Sequence, residues 1–288
     1  MPTLVDIEDA SKERRPWALQ DLPPYRPVAR RLMMLTARDD VPLPLVREVL
    51  CTDAAFAAEV LRLANSPLIG MRGEITSILQ AVAMLGFERI KSLAVTLALR
   101  AFMTTGAPSD ALRGCWRHNL ATAILCERLA RFVQLDRDLC YTAGLLHDIG
   151  RLALLRAGSK EYERILFQED NDGFDMIEFE KSVFDIDHCQ AGAWILEQWD
   201  FPKELRQVAA LHHQRPADGA VGLLPVVYAG WRIAELLGFS VGSQPARGDI
   251  SDISAALPDP ARQQVIAEFD GFAEEVAFKI NAIECSLM

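Results

Sequence analysis

Several common signatures are missing from this 288-residue sequence. Its six cysteines, Cys51, Cys115, Cys126, Cys140, Cys189 and Cys285, are scattered and form no C-x-x-C pair. That pattern argues against a disulfide framework or a thiolate zinc motif, and predicts reduced, mostly buried thiols. No apolar run approaches the roughly 20 residues that a membrane-spanning helix needs. The start, M-P-T-L-V-D-I-E-D-A, is acidic and has no apolar stretch of the signal-peptide kind. These absences predict a cytoplasmic protein without membrane association. Basic residues are in the minority, 30 Lys and Arg against 40 Asp and Glu, for a net charge of −10 and a pI near 5.1. A broad nucleic-acid footprint needs clustered Lys and Arg, so no nucleic-acid partner is expected. No stretch shows the sustained alternation of a half-buried strand. No internal repeat or low-complexity tract is present.

What the sequence does have is apolar helical periodicity, in a chain that is half hydrophobic and long enough for a sizeable core. Residues 1–20 are polar and weakly patterned and read as a mobile tail or a helical extension. Helical spacing of Val28, Leu32 and Leu35, then Leu45, Val49 and Leu50, then Phe56, Val60 and Leu63, builds an N-terminal bundle. Ser77 can cap the next helix, and Phe87–Met103 is apolar enough to be central. After a linker, helices are expected over Ala111–Val133, Asp136–Gly150, Arg151–Phe167, Met176–Phe184, His188–Trp199, Lys203–His213 and Leu223–Leu237. Glu169–Gly173 reads as an acidic turn. Trp194 and Trp199 read as core and rim packing, and Asp138, Asp170 and Asp172 as solvated caps and turns. Ala261–Ala282 is a final amphipathic helix with Val265, Phe269, Phe272, Val276 and Ile280 inward. The expected fold is all-α: a helical part over 21–103 packed on a second over 104–237, followed by a loop and amphipathic helix over 238–288.

Chemistry concentrates in Y-T-A-G-L-L-H-D-I-G-R-L-A-L-L, Tyr141–Leu155, where a helix carries the adjacent pair His147–Asp148 and is expected to stop at Gly150. Imidazole and carboxylate are both metal ligands. The chain has five histidines, and the others are His118, His188, His212 and His213. His188 follows Asp187, a helix cap, and reads either as an exposed first-turn histidine or as part of a pocket. His212 and His213 are consecutive, so on a helix they point about 100° apart and only one faces the cluster unless the helix has ended.

Separate segments of the chain, in order, resemble one known family. They are L-P-P-Y-R-P-V-A-R-R-L, D-A-A-F-A-A-E-V-L-R-L-A-N-S-P-L-I-G, I-T-S-I-L-Q-A-V-A-M-L-G-F-E-R-I-K-S-L-A, W-R-H-N, A-G-L-L-H-D-I-G-R-L, D-H-C-Q-A-G-A-W-I-L-E-Q-W-D-F-P and A-A-L-H-H. Together, over about Leu22–Leu237, they resemble the HDOD domain, the HD-related output domain of bacterial signalling proteins. The second half is similar to the HD phosphohydrolases, which bind metal with a His, a His-Asp pair and a later Asp. The resemblance puts His118, His147 and Asp148 on the first three of these positions. Gly230 is the expected counterpart of the later Asp, and it has no side chain to offer. Glu235, the nearest acid, is expected on another side of the helix. Arg151 stands where catalytic members usually carry Lys, and the G-Y-P segment of cyclic-di-GMP hydrolases is absent.

The resemblance therefore implies a degenerate site. His118, His147 and Asp148 would form a hydrogen-bonded polar cluster or weakly hold a divalent metal, with Arg151, His188, His212 and His213 lining a ligand pocket. No catalytic residue and no tightly bound cofactor are expected. The implied function is a non-catalytic signalling module that engages a protein partner. The alternatives are a metal-dependent phosphohydrolase acting on a phosphoester and a nucleotide-binding sensor without turnover.

Overall fold

The computed structural model describes residues 16–20, 22, 25–35, 41–70, 73–104, 108–158, 160–167, 175–242 and 248–287. Among these, the secondary structure is helical throughout, with no strand, and the all-α expectation holds. The N-terminal helices are α1 (Pro27–Leu35), α2 (Leu43–Cys51), α3 (Ala54–Ala64), α4 (Ile78–Leu85) and α5 (Phe87–Thr104). Asp53 and Ser77 cap α3 and α4 by accepting from Phe56 N and Gln80 N, so orphan amides at those helix starts are satisfied. The longest helix of the second part, α6 (Asp110–Val133), is buried along most of its length. It is followed by α7 (Arg137–Leu146), α8 (Ile149–Arg156), α9 (Lys160–Leu166), α10 (Met176–Phe184), α11 (His188–Gln198), α12 (Lys203–Leu211), α13 (Leu223–Leu236), α14 (Ile250–Ser254) and α15 (Ala261–Leu287).

The structure departs from the sequence reading in several places. The tail expected over 1–20 ends in a 3₁₀ turn, Trp17–Leu19, with Ala18 and Leu19 buried and the Trp17 ring 5.9 Å from that of Phe184. Residues 1–15, like the acidic turn with Asp170 and Asp172, lie outside the described residues. The final helix runs on to Leu287 and packs against α6 and α3, and its inner face joins one apolar core that extends from Ala18 to Leu287. Buried Glu127 on α6 ties this arrangement together. It is 2.8 Å from Arg137, 3.2 Å from Arg89 and 3.7 Å from Lys279, so four helices meet on one carboxylate. Asp138 also accepts from Arg89, at 3.2 Å, and is not simply a solvated cap.

The central helix does not continue to Gly150. It ends at Leu146, His147 and Asp148 form the turn, and α8 starts at Ile149. Gly150 has a different role. A β-carbon there would lie 1.9 Å from the His188 carbonyl oxygen and 2.6 Å from the Gly192 amide nitrogen. Only a missing side chain lets α8 press against the start of α11, which delivers His188 to the site. Both obstructing atoms are backbone and cannot turn aside. Gly150→Ala is therefore expected to cost about 3 kcal/mol or more through overpacking, read as a lowered urea midpoint with an unchanged m-value.

Candidate functional site

Five elements converge on one buried cluster. His118 comes from α6, His147 and Asp148 from the turn between α7 and α8, Arg151 from the first turn of α8, His188 from the start of α11, and His212 and His213 from the end of α12. The helix α12 has ended at Leu211, so the two adjacent histidines escape the 100° restriction and both reach the cluster. Ring centroids are 5.3 Å apart for His118 and His147, 5.0 Å for His147 and His212, and 4.9 Å for His188 and His213. His188 is buried, which removes the reading of an exposed first-turn residue, while His213 is exposed at the mouth. Ligand atoms of His118, His147 and Asp148 lie within 4.8 Å of one another, as do those of His188, Cys189, His212 and His213.

Hydrogen bonds set the ring tautomers. His118 Nδ1 is 2.6 Å from the Phe239 carbonyl, His147 Nδ1 is 2.7 Å from that of Gly144, and His212 Nδ1 is 3.0 Å from that of Ala209. A carbonyl only accepts, so each Nδ1 carries the proton and each Nε2 keeps its lone pair. His147 Nε2, His212 Nε2 and Asp148 Oδ1 are buried without any hydrogen-bond partner. Buried polar atoms are normally satisfied, and those left over ask for an explanation. Burial, helped by the neighbouring imidazole, pushes the His118 and His147 pKa values down to about 3, and burial lowers that of His212 to about 3 against the pull of Asp148. Neutral rings with inward Nε2 lone pairs, beside a carboxylate oxygen, are the form in which these groups ligate metal. The mixed imidazole and carboxylate set suits a first-row divalent ion.

The other half of the cluster is already engaged. Arg151 is buried, and its Nε donates to Asp148 Oδ2 at 2.6 Å. Its Nη1 lies 3.4 Å from the Tyr162 hydroxyl and 3.5 Å from Glu180 Oε1, and its Nη2 lies 3.0 Å from His188 Nε2. Against its burial, Asp148 is held below the ordinary carboxylate range by the Arg151 guanidinium, with the imidazoles adding to it. Glu180, fully buried, accepts from both the backbone N and Nδ1 of His188 and from the Tyr162 hydroxyl. Burial and Arg151 oppose a charge on His188, yet Glu180 and Asp148 outweigh them and push its pKa up to about 10. Its Nε2 also sits 2.8 Å from His213 Nε2. That nitrogen donates to His213 when protonated and accepts from Arg151 when neutral.

A cavity of about 500 Å³ opens over the cluster, lined by His118, Asp148, Arg151, His188, His213, Trp231 and Glu235 among others. This corrects the expectation for α13. A β-carbon on Gly230 would meet Cys126 Sγ at 2.6 Å and Thr122 O at 3.4 Å. Gly230 therefore faces α6 and allows close helix packing; it does not stand opposite the histidines. The α13 side chain that does is Trp231, whose ring centroid is 4.7 Å from His213 and 5.9 Å from His212. Glu235, one helical turn further on, lines the same cavity and pairs with Arg232. Glu180, Tyr162, Trp231 and Cys189 were not singled out from sequence. A signal existed for Glu180, which shares a helical face with Met176 and Phe184 at i±4.

The neutral histidines make the metal-free protein acid-sensitive. Their folded pKa values lie below the unfolded value near 6.5, so as pH falls the unfolded chain takes up protons that the folded chain refuses. Stability should therefore drop from about pH 6.5 downward, by about 1.4 kcal/mol per pH unit for each proton of difference. His188 shifts the other way, and its contribution stays constant below pH 6.5. Urea unfolding of chelator-treated protein between pH 7 and 5 checks this, and His118→Gln and His212→Gln should each reduce the slope.

Sequence comparison agrees with the geometry. The HDOD domain matches residues 22–215. A solved HDOD domain protein of unknown function from Geobacter sulfurreducens superposes with a TM-score of 0.76 at 22% identity, covering 96% of each chain. An uncharacterized protein of Treponema pallidum (strain Nichols) is 22% identical over 202 residues, 69% of this chain and 39% of that protein. Ribonuclease Y of Mycoplasma genitalium is 27% identical over 155 residues, 54% of this chain and 25% of that protein. The chain thus spans well under half the length of these two curated relatives. With a match over two thirds of its residues, and the His-Asp turn within it, the chain belongs to the HDOD domain family.

Proposed function

We propose that this chain is a regulatory module whose histidine cluster binds a divalent metal without efficient phosphoester turnover, and which acts through a protein partner. The observation that carries the metal reading is the set of buried, unpartnered atoms His147 Nε2, His212 Nε2 and Asp148 Oδ1. His118, His147 and Asp148 would hold the ion, with the His212 ring 5.0 Å from that of His147 beside them, and such an ion supplies Lewis acidity and acidifies bound water. The chain's own residues argue against turnover. An indole stands where α13 would bring a carboxylate to the histidines. Arg151, the side chain best placed to meet a phosphate, is engaged by Asp148, Tyr162 and Glu180, with its Nη2 packed 3.0 Å from His188 Nε2.

One observation favours a second reading, a metal-dependent phosphohydrolase: the cavity of about 500 Å³ over the cluster has room for a phosphoester. Elemental analysis of protein purified without chelator, paired with phosphodiester and nucleotide hydrolysis assays supplemented with manganese, iron or zinc, separates the two. Bound metal that is lost in His147→Ala, with turnover far below about 1 per second, is expected. Absence of metal would leave the cluster purely structural, and turnover at about 1 per second or above that His147→Ala abolishes would make the protein an enzyme. Trp231→Asp should raise metal affinity at least tenfold by restoring a carboxylate. Gly230→Asp should lower stability against Cys126 and leave metal affinity unimproved.

A further inference from the structure

We infer that Arg151 is the chain's own replacement for a second metal ion, so that the cluster holds one divalent ion and not two. This rests on the metal-binding reading above and adds the number of ions. The donors fall into two neighbouring sets, and Asp148 lies between them, its Oδ1 3.8 Å from His188 Nε2. A pair of ions bridged by this carboxylate would need both of its oxygens and the His188 Nε2 lone pair. Arg151 has already taken part of that set. Its Nε holds Asp148 Oδ2, and its Nη2 stands 3.0 Å from His188 Nε2. In neither protonation state does His188 Nε2 keep a free lone pair, because it accepts from Arg151 or donates to His213.

The guanidinium cannot step aside cheaply. It is buried between two buried carboxylates, Asp148 and Glu180. Unlike a lysine, it does not shed its proton on burial. A second dication would have to expel it from both partners and leave a buried, unpaired charge. Glu180 locks the other side by holding His188 through N and Nδ1. The two halves of the cluster are therefore unequal. The set of His118, His147 and Asp148 keeps unpartnered His147 Nε2 and Asp148 Oδ1, while in the set of His188, Cys189, His212 and His213 the guanidinium stands against His188 and only His212 Nε2 is unpartnered. A clamp of two metals on attacking and leaving oxygens is one way phosphoester hydrolysis is achieved, and a built-in guanidinium withholds the second of them.

The test is a count. The full chain is stripped with chelator, titrated with cobalt(II), desalted and analysed for cobalt per chain, with the visible spectrum followed and folding checked by circular dichroism. Wild type is expected to hold one ion and Arg151→Met two. The second ion should be lost in Arg151→Met/His188→Ala, and the first in His147→Ala. Arg151→Lys keeps a buried cation should the methionine variant not fold. One ammonium cannot span Asp148 and His188, so this variant too should take a second ion, at least tenfold more tightly than wild type. Two ions in wild type, or one ion still in every folded Arg151 variant, overturns the inference. No ion in wild type but one in Arg151→Met overturns the count while leaving the cluster capable of binding metal. No ion in any form sinks the metal-binding reading and this inference with it.

Discussion

A guanidinium and two carboxylates, Arg151, Asp148 and Glu180, are buried together inside a helical core. Each charge is tolerable only because the others are there, since removing one partner leaves an uncompensated charge in an apolar place. Much of the site follows from that constraint. Asp148 begins α8 yet makes no side-chain cap, because its carboxylate is turned to Arg151 three residues on. Glu180 is drawn fully inside α10 and fixes the ring of His188. The other histidines stay neutral because burial outweighs whatever attraction Asp148 exerts on them.

Backbone approach makes the grouping possible. Arg151 and His188 come from different helices, and they meet because α8 and α11 touch at Gly150, where even a methyl group would collide with the His188 carbonyl. Gly230 does the same for α13 against α6. These glycines bring the helices close enough for one cavity to be lined from both sides, and neither contributes a chemical group.

The helices and the histidine constellation were legible in the sequence because both are written in local pattern. Apolar spacing located α1 to α6 and α10 to α13 closely, with the start of α7, and Ser77 and Asp187 were readable caps that the structure uses. What was not legible depends on tertiary direction. The break at His147–Asp148 has no glycine or proline directly beside it, so periodicity alone runs through it. The register of α13 was ambiguous by one residue, enough to exchange Gly230 for Trp231 and to turn Glu235 away from the cavity it lines. Glu180 carries a charge, and charge on an amphipathic helix usually means solvent. Only the buried Arg151 opposite it reverses that inference.

Labour is divided along the chain at the edge of the family match. The HDOD match, residues 22–215, contains every histidine, Asp148, Arg151 and Glu180. The residues that finish the site lie beyond it. Trp231 covers His212 and His213, Glu235 adds a carboxylate to the cavity wall, and the Phe239 carbonyl holds the proton of His118. The helix α15 then packs along α6, the helix that carries His118. The matched region thus supplies the histidines and most of the groups that fix their tautomers, and the segment after it fixes that of His118 and adds the cover and part of the cavity wall. The segment after residue 215 decides how the histidines of the matched region meet the cavity, through the Trp231 indole and the Glu235 carboxylate that it brings to the wall.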